Sequence, residues 1–260
     1  MKTVFKRPSS LIDVPFHFCP GCHHGIIHRL LAETLDEFNL RERTICVASV
    51  GCSVFMYDYF DVDVLEAPHG RAAAVATGVK RARPQNFVFT YQGDGDLASI
   101  GIAESLHCAN RGEHLTILFV NNTVYGMTGG QMAPTTMLGQ VTTTSPYGRD
   151  FSRDGYPIRM TELMANLEGT AFAARVAVNS IKNLLQAKKV LKKAFEVQVT
   201  DAGFAFVEFL SACPTNWKMT PIKANQRVQD EMIPYFPLGI FKERTGPDAL
   251  SAEGGREPEI

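Results

Sequence analysis

Phe87-Val88-Phe89-Thr90-Tyr91-Gln92-Gly93-Asp94-Gly95-Asp96 runs from β-branched and aromatic residues into a Gly-flanked carboxylate, and Leu115-Thr116-Ile117-Leu118-Phe119-Val120-Asn121-Asn122-Thr123-Val124 runs from apolar residues into a carboxamide pair. The spacing predicts strands over 87–91 and 115–120. Between them, Leu97, Ile100, Gly101, Ala103 and Leu106 recur at helical spacing, which predicts a helix over 97–111. Strand, helix and strand of these lengths form a βαβ unit, whose two strands are parallel and, as neighbours, ~4.8 Å apart. Asp94 and Asn122 then stand at one carboxyl edge, where open α/β sheets bind ligands.

A hard cation tethering a diphosphate needs that pairing. Glycines at 93 and 95 let the backbone approach a phosphate closely, and the helix start near Asp96 offers unpaired N–H groups to an anion. Asp94 alone would repel the diphosphate. A bridging Mg²⁺ removes the conflict, because it accepts carboxylate, amide and phosphate oxygens together.

The same alternation continues on both sides. Strands are expected over 44–50, 171–178 and 204–210, and helices over 25–38, 71–83, 161–167 and 180–199. This pattern predicts an α/β fold with a doubly wound, mainly parallel sheet. At 260 residues, 45% hydrophobic and 20% charged, the chain suits one large domain, placed over 1–222. The stretch 126–157 carries Gly, Pro, Thr and Ser without periodicity; it is expected to cover the cofactor and to touch a partner. Periodicity also fades from Lys223 to Ile260, which suggests an extended arm packing on a partner, with 251–260 mobile.

Six cysteines are present, at 19, 22, 46, 52, 108 and 213. Residues 1–10 are basic but lack an apolar segment, so a reducing cytoplasm is expected and a disulfide framework is not. Cys19-Pro20-Gly21-Cys22 is then a metal or redox motif that needs two further ligands. Cys46 lies within an apolar strand and Cys108 beside the apolar stripe of its helix, as core cysteines do. Cys52 and Cys213 instead follow strands, in loops where sites form. His23, His24 and His28 raise zinc as an alternative, although Ile26, Ile27, Leu30, Leu31 and Leu35 define a packed stripe on that helix, and solvated or hydrogen-bonded histidines are the expected reading.

Gly93-Asp94-Gly95 through Asn121-Asn122 resembles the thiamine diphosphate signature. The longer stretch 120–131, with His69-Gly70-Arg71-Ala72 and Cys19-Pro20-Gly21-Cys22, resembles the β subunit of 2-oxoacid:ferredoxin oxidoreductases over most of residues 15–221. The resemblance implies a diphosphate-domain fold in which Asp94, Asn122 and the Val124 carbonyl hold Mg²⁺. It implies that Gly93, Gly95, Asp96, Gly126 and Met127 line the diphosphate, that Val50, Gly51, Cys52, Ser53 and His69 belong to the cofactor site, and that His69 and Arg71 take catalytic parts. Cys19, Cys22, Cys52 and Cys213 match its [4Fe–4S] ligands.

Such a subunit decarboxylates a 2-oxoacid oxidatively, with coenzyme A as co-substrate and ferredoxin as acceptor. In this cofactor class the aminopyrimidine is held by a second domain, and since only the diphosphate half is recognisable here, an α subunit is expected to supply it, with γ and ferredoxin-like δ subunits expected too. Residues 128–136 resemble versions acting on 2-oxoglutarate or branched-chain 2-oxoacids. Gly129 occupies a slot that is Lys in some relatives. A non-redox thiamine decarboxylase subunit and a zinc-binding scaffold without activity are the alternatives.

Lys188-Lys189 and Lys192-Lys193 fall on the outer face of a helix, and the net charge is −1, so no general basic field for nucleic acid is expected. No apolar run approaches the ~20 residues of a membrane helix.

Overall fold

A computed structural model describes residues 6–244. Nine strands occur there: β1 (Thr44–Ser49), β2 (Asp63–Ala67), β3 (Phe87–Gly93), β4 (Thr116–Asn121), β5 (Val124–Tyr125), β6 (Gln131–Met132), β7 (Thr170–Ala177), β8 (Phe204–Leu210) and β9 (Gly239–Glu243). The helices are α1 (His24–Glu37), α2 (Ala72–Ala82), α3 (Ile102–Asn110), α4 (Phe151–Asp154), α5 (Met160–Ala165), α6 (Ile181–Val199), α7 (Pro214–Trp217), α8 (Pro221–Arg227) and α9 (Ile233–Tyr235). Seven strands form one sheet in the order β2-β1-β3-β4-β8-β7-β9, parallel except at β9, and β5 pairs with β6 in a small hairpin.

Both faces of the sheet are covered, as a parallel sheet requires. On one face α1 and α6 bring Ile27, Leu31, Leu191 and Phe195 against Phe89, Phe172 and Val207. On the other, α2, α3 and α5 bring Ala76, Cys108 and Met164 against Val88, Ile117 and Phe206. Each fully buried Phe or Leu contributes roughly 1.5–3 kcal/mol relative to exposure. Every position of β4, β7 and β8 is buried, which is why these strands read as continuous apolar runs. β2 and β9 lie at the edges and are mostly exposed; neither carries an apolar run, and neither was expected from the sequence.

Three expectations change. The helix expected over 97–111 is interrupted: Asp96–Ile100 forms a π-helical turn, and α3 starts only after Gly101. A Cβ at Gly101 would lie 2.8 Å from the carbonyl oxygens of both Gly70 and Asp96, so the loop at Gly70 packs directly onto the helix backbone there and only glycine fits. The stretch after 223 does not form an extended arm over its described part. Phe236 is fully buried beside Val228, Met232 and Leu210 of the same chain, and β9 pairs with β7; residues 251–260 lie outside the described residues. Finally, three of the four lysines singled out on α6 are ion-paired rather than merely solvated. Lys188 meets Glu33 (2.7 Å) and Glu37 (2.9 Å), Lys192 meets Glu37 (2.5 Å), and Lys193 meets Glu243 (2.7 Å), which offsets the charge a polyanion would need.

The strand order reverses at β1. From it the chain steps outward to β2 and returns to β3 on the other side, which leaves a crevice beyond the carboxyl ends of β1 and β3, where ligands bind in such sheets.

Candidate functional site

That crevice holds a cavity of about 550 Å³. Its walls are the loop after β1 (Val50, Gly51, Cys52, Ser53), His69, the end of β3 (Gly93 to Asp96), and Asn122, Val124, Gly126 and Met127 beyond β4, with Tyr125, Thr128, Gln131 and His24. The register places Gly93 beside Val120 on neighbouring parallel strands, so the Asp94 and Asn122 loops share one edge, as the βαβ reading requires.

Asp94 is 2% exposed. Its carboxylate accepts from the Gly95 N–H (2.9 Å) and from Thr135 Oγ1 (2.7 Å). Burial nevertheless pushes its pKa up to about 7, and the hydrogen bonds from Thr135 and from the backbone of Gly95, Thr123 and Asn122 only partly offset it. A carboxylate desolvated to this degree needs a cation to hold its charge. The carboxamide of Asn122 and the start of β5 at Val124 border the same cavity. This oxygen set fits Mg²⁺.

Gly95 is obligatory for a reason the sequence does not state. The Tyr125 ring lies where a side chain would go, and a Cβ there would come within 2.3 Å of Tyr125 Cε1. Asp96 borders the cavity but spends its carboxylate elsewhere. It accepts from Ser49 Oγ (2.7 Å), the Gly70 N–H (2.6 Å) and Gln92 Nε2 (2.5 Å). His69 Nδ1 stands 2.9 Å from it, as an electrostatic neighbour outside hydrogen-bond alignment. Asp96 therefore positions the His69 loop. Arg71 is not among the lining residues. Its guanidinium pairs with Glu104 (2.6 Å) and donates to the carbonyls of Gly70 and Ile100 (3.1 Å each), which ties α2 to α3.

The four loop cysteines gather at the same edge. Cys22 feels Cys213, Cys52 and Cys19, Cys52 feels Cys213 and Cys19, and Cys213 feels Cys19, so all six pairs lie within electrostatic range. Burial first, then these neighbours, push Cys22 up to about 12 and Cys52 to about 11, and burial raises Cys213. Asn216 Nδ2 donates to Cys213 Sγ (3.2 Å) and to the Gly126 carbonyl (2.7 Å), which links this group to the diphosphate loop. Among the described residues no three His, Cys, Asp or Glu side chains converge as a single-ion site. Four free thiols from loops at one sheet edge fit the donor set of an iron–sulfur cluster. Cys46 and Cys108 are fully buried in the two core clusters, apart from this group.

His23, His24 and His28 are buried, so the hydrogen-bonded reading holds and the solvated one does not. The Ala212 N–H donates to His23 Nδ1 and Asn225 Oδ1 faces its Nε2, both at 3.1 Å; His24 Nδ1 meets the Tyr91 hydroxyl at 2.6 Å, and His28 Nδ1 meets the His24 carbonyl at 2.8 Å. Burial lowers their pKa values to about 4, 3 and 3, so all three are neutral at pH 7.

The sequence reading missed Thr135, which reaches Asp94 from across the 126–157 loop, and Arg149, which shapes that loop. Arg149 is 6% exposed, and its guanidinium donates to six carbonyls: Thr136 (2.7 Å), Pro134 and Gly155 (2.9 Å each), Tyr156 (3.0 Å), Asp154 (3.2 Å) and Ala133 (3.3 Å). Lone Thr and Arg residues in a long loop carry no sequence signal for this. Arg149→Met is expected to release these carbonyls at a cost on the order of 3 kcal/mol. Hydrogen exchange should then accelerate over 133–156 while β3 and β4 stay protected.

Residues 49–209 match the family described as thiamine pyrophosphate enzyme, C-terminal TPP binding domain. The chain is 47% identical over 254 residues to the ketoisovalerate oxidoreductase subunit VorA of Methanothermobacter thermautotrophicus, across 94% of this chain and 53% of that protein. It is 38% identical over 203 residues to the 2-oxoglutarate synthase subunit KorB of Methanocaldococcus jannaschii, across 78% of this chain and 71% of that protein. In fold it is similar, with a TM-score of 0.78 and 26% identity across 94% of this chain and 87% of the other, to a chain of the 2-oxoglutarate:ferredoxin oxidoreductase from Magnetococcus marinus with 2-oxoglutarate, coenzyme A and succinyl-CoA bound. The chain spans about half the length of its VorA relatives.

Proposed function

The chain belongs to the thiamine-binding subunits of the 2-oxoacid:ferredoxin oxidoreductases, and from that premise we propose that it contributes the diphosphate half of an active site that a partner subunit completes. The reaction is the oxidative decarboxylation of a 2-oxoacid to acyl-CoA and CO₂, with electrons passing to ferredoxin. The observation that carries this reading is the meeting, at one sheet edge, of the Asp94 and Asn122 loops with four mutually interacting thiols.

Thiamine diphosphate supplies a carbanion and a sink for the electrons that decarboxylation leaves. This chain's residues do the holding. Asp94, Asn122 and the Val124 carbonyl would hold Mg²⁺, and Gly95 and Gly126 would let the backbone approach the diphosphate. Asp96 fixes the His69 loop at the cavity wall. Cys19, Cys22, Cys52 and Cys213 would hold a [4Fe–4S] cluster; Cys52 itself borders the diphosphate loop, since a Cβ at Gly126 would lie 3.3 Å from its Sγ. All six cysteines are free, which suits a cytoplasmic location, and no helix among the described residues is long and apolar enough to cross a membrane.

For the substrate, the 47% identity to a ketoisovalerate oxidoreductase subunit supports a branched aliphatic 2-oxoacid. The partners in this reading are an α subunit holding the aminopyrimidine, γ and ferredoxin-like δ subunits, and ferredoxin.

The test is anaerobic turnover against a panel of 2-oxoacids with a low-potential acceptor. The chain alone, loaded with cofactor and iron, is expected to decarboxylate none of them, and activity should appear on adding the partner subunit. Robust turnover by the chain alone would overturn the shared site. CO₂ release without acceptor reduction by the complete complex would favour the non-redox decarboxylase.

A further inference from the structure

Asn121 precedes the carboxamide assigned to Mg²⁺, and its own amide is spent inside the protein. Its Oδ1 accepts the Thr123 N–H (3.2 Å), and its Nδ2 donates to Glu208 Oε1 (2.8 Å). Thr123 has φ 64°, a left-handed conformation that costs a β-branched residue energy and persists only where its surroundings impose it. This turn presents Asn122 on one side and Val124 on the other.

Glu208 lies on β8 with no exposure, and its other oxygen accepts from Thr161 Oγ1 and from Arg175 Nε (2.9 Å). Arg175 on β7 is also fully buried. Its remaining N–H groups reach Glu162 and the Pro237 carbonyl (3.2 Å), and the rings of Phe236 and Phe241 lie 5.4 and 5.2 Å from its guanidinium carbon. An unbroken line of hydrogen bonds thus runs from Pro237, just before β9, through β7 and β8 to the turn at Thr123.

A buried ion pair of this kind is weak evidence of added stability, because apolar residues of similar volume serve as well or better. It does impose direction. A carboxylate only accepts, so Glu208 obliges Asn121 to turn its NH₂ inward, which leaves Oδ1 for the Thr123 N–H. A glutamine at 208 would permit the amide to flip. We propose that Glu208, locked by Arg175, is a positioning residue that sets the geometry of the Mg²⁺ loop. The inference rests on Asn122 and Val124 as metal ligands, as proposed above.

The test uses the assembled complex and Mn²⁺ as the probe, read by the EPR signal of free Mn²⁺ in the presence of thiamine diphosphate. Glu208→Gln is expected to weaken Mn²⁺ binding about tenfold or more, the scale of outer-sphere metal partners. Turnover at saturating Mg²⁺ and cofactor should change far less, and iron per chain should not change. Unaltered Mn²⁺ affinity together with a lowered Tm would show a purely structural network and overturn the proposal. If Glu208→Gln does not assemble, Glu162→Gln at the partly exposed end takes its place; a weakening below the roughly tenfold of outer-sphere partners is then expected, and unaltered Mn²⁺ affinity overturns the inference. Wild-type complex that binds no Mn²⁺ with the cofactor would instead defeat the metal-site reading beneath it.

Discussion

Asp94→Ala is expected to abolish thiamine-dependent turnover while leaving the sheet and the cluster iron in place. The residue opens the helical turn that directly follows β3, and its side-chain partners are Thr135 and the Gly95 N–H rather than core residues, so its loss removes charge more than packing. Without it, Mg²⁺ loses its anionic protein ligand and the diphosphate charge is left poorly compensated in a buried site. That costs about 3–5 kcal/mol, or roughly 10²–10⁴-fold in cofactor affinity. Asn122→Ala should act in the same direction but less severely, because it removes a neutral oxygen. Titration calorimetry with Mg²⁺ and thiamine diphosphate measures both; wild-type affinity in Asp94→Ala would sink the assignment.

The raised pKa adds a signed expectation. Without a cation, Asp94 binds its proton more tightly when folded, at about 7, than when unfolded, at 3.8. The cation-free fold therefore loses stability as pH rises from about 4 through 7, by on the order of 4 kcal/mol from this group. Asp94→Asn should remove that loss, so that above pH 7 the cofactor-free variant melts higher than cofactor-free wild type. Mg²⁺ with thiamine diphosphate should stabilise wild type most above pH 7, where no proton competes for the carboxylate. Thermal melts at several pH values, with and without cofactor, decide the sign.

Cys213→Ser and Cys52→Ser should each lose cluster iron and acceptor reduction, whereas Cys46→Ser and Cys108→Ser should mainly perturb packing. Cys213 follows β8, Cys52 follows β1, and Cys19 with Cys22 precede α1, so the fold alone assembles the four. Thiols that burial holds near pKa 11–12 ionise at neutral pH only with a strong cation in place, which makes the set dependent on metal. Serine keeps the size and removes the soft ligand. Iron and sulfide analysis with reduced-state EPR on the four variants is the measurement. A full cluster in the Cys52 and Cys213 variants, lost instead from those at Cys46 or Cys108, would reverse the ligand choice; one zinc and no iron in wild type would end the redox reading.

The sequence by itself determined the central sheet and its motif edge. Residues 87–92, 116–121, 170–177 and 204–210 are buried on both faces, so their apolar runs are long and their register follows from βαβ connections. The strand ends before Asp94, Asn122, Cys52 and Cys213 were legible because an apolar run stops there. Edge strands β2 and β9 were not, because a strand with one neighbour and an exposed face need carry no pattern. The tertiary structure alone decided the roles of side chains that act across large sequence separations. It gave the Asp96 carboxylate to the support of the His69 loop while keeping Asp96 in the cavity wall, tied Arg71 to Glu104, and brought Thr135 to Asp94 and Glu208 to Asn121. The physical reason is that periodicity records burial against the sheet, which is local and repeated. A hydrogen bond between distant loops is made once, by polar residues whose spacing says nothing of where the fold will place them.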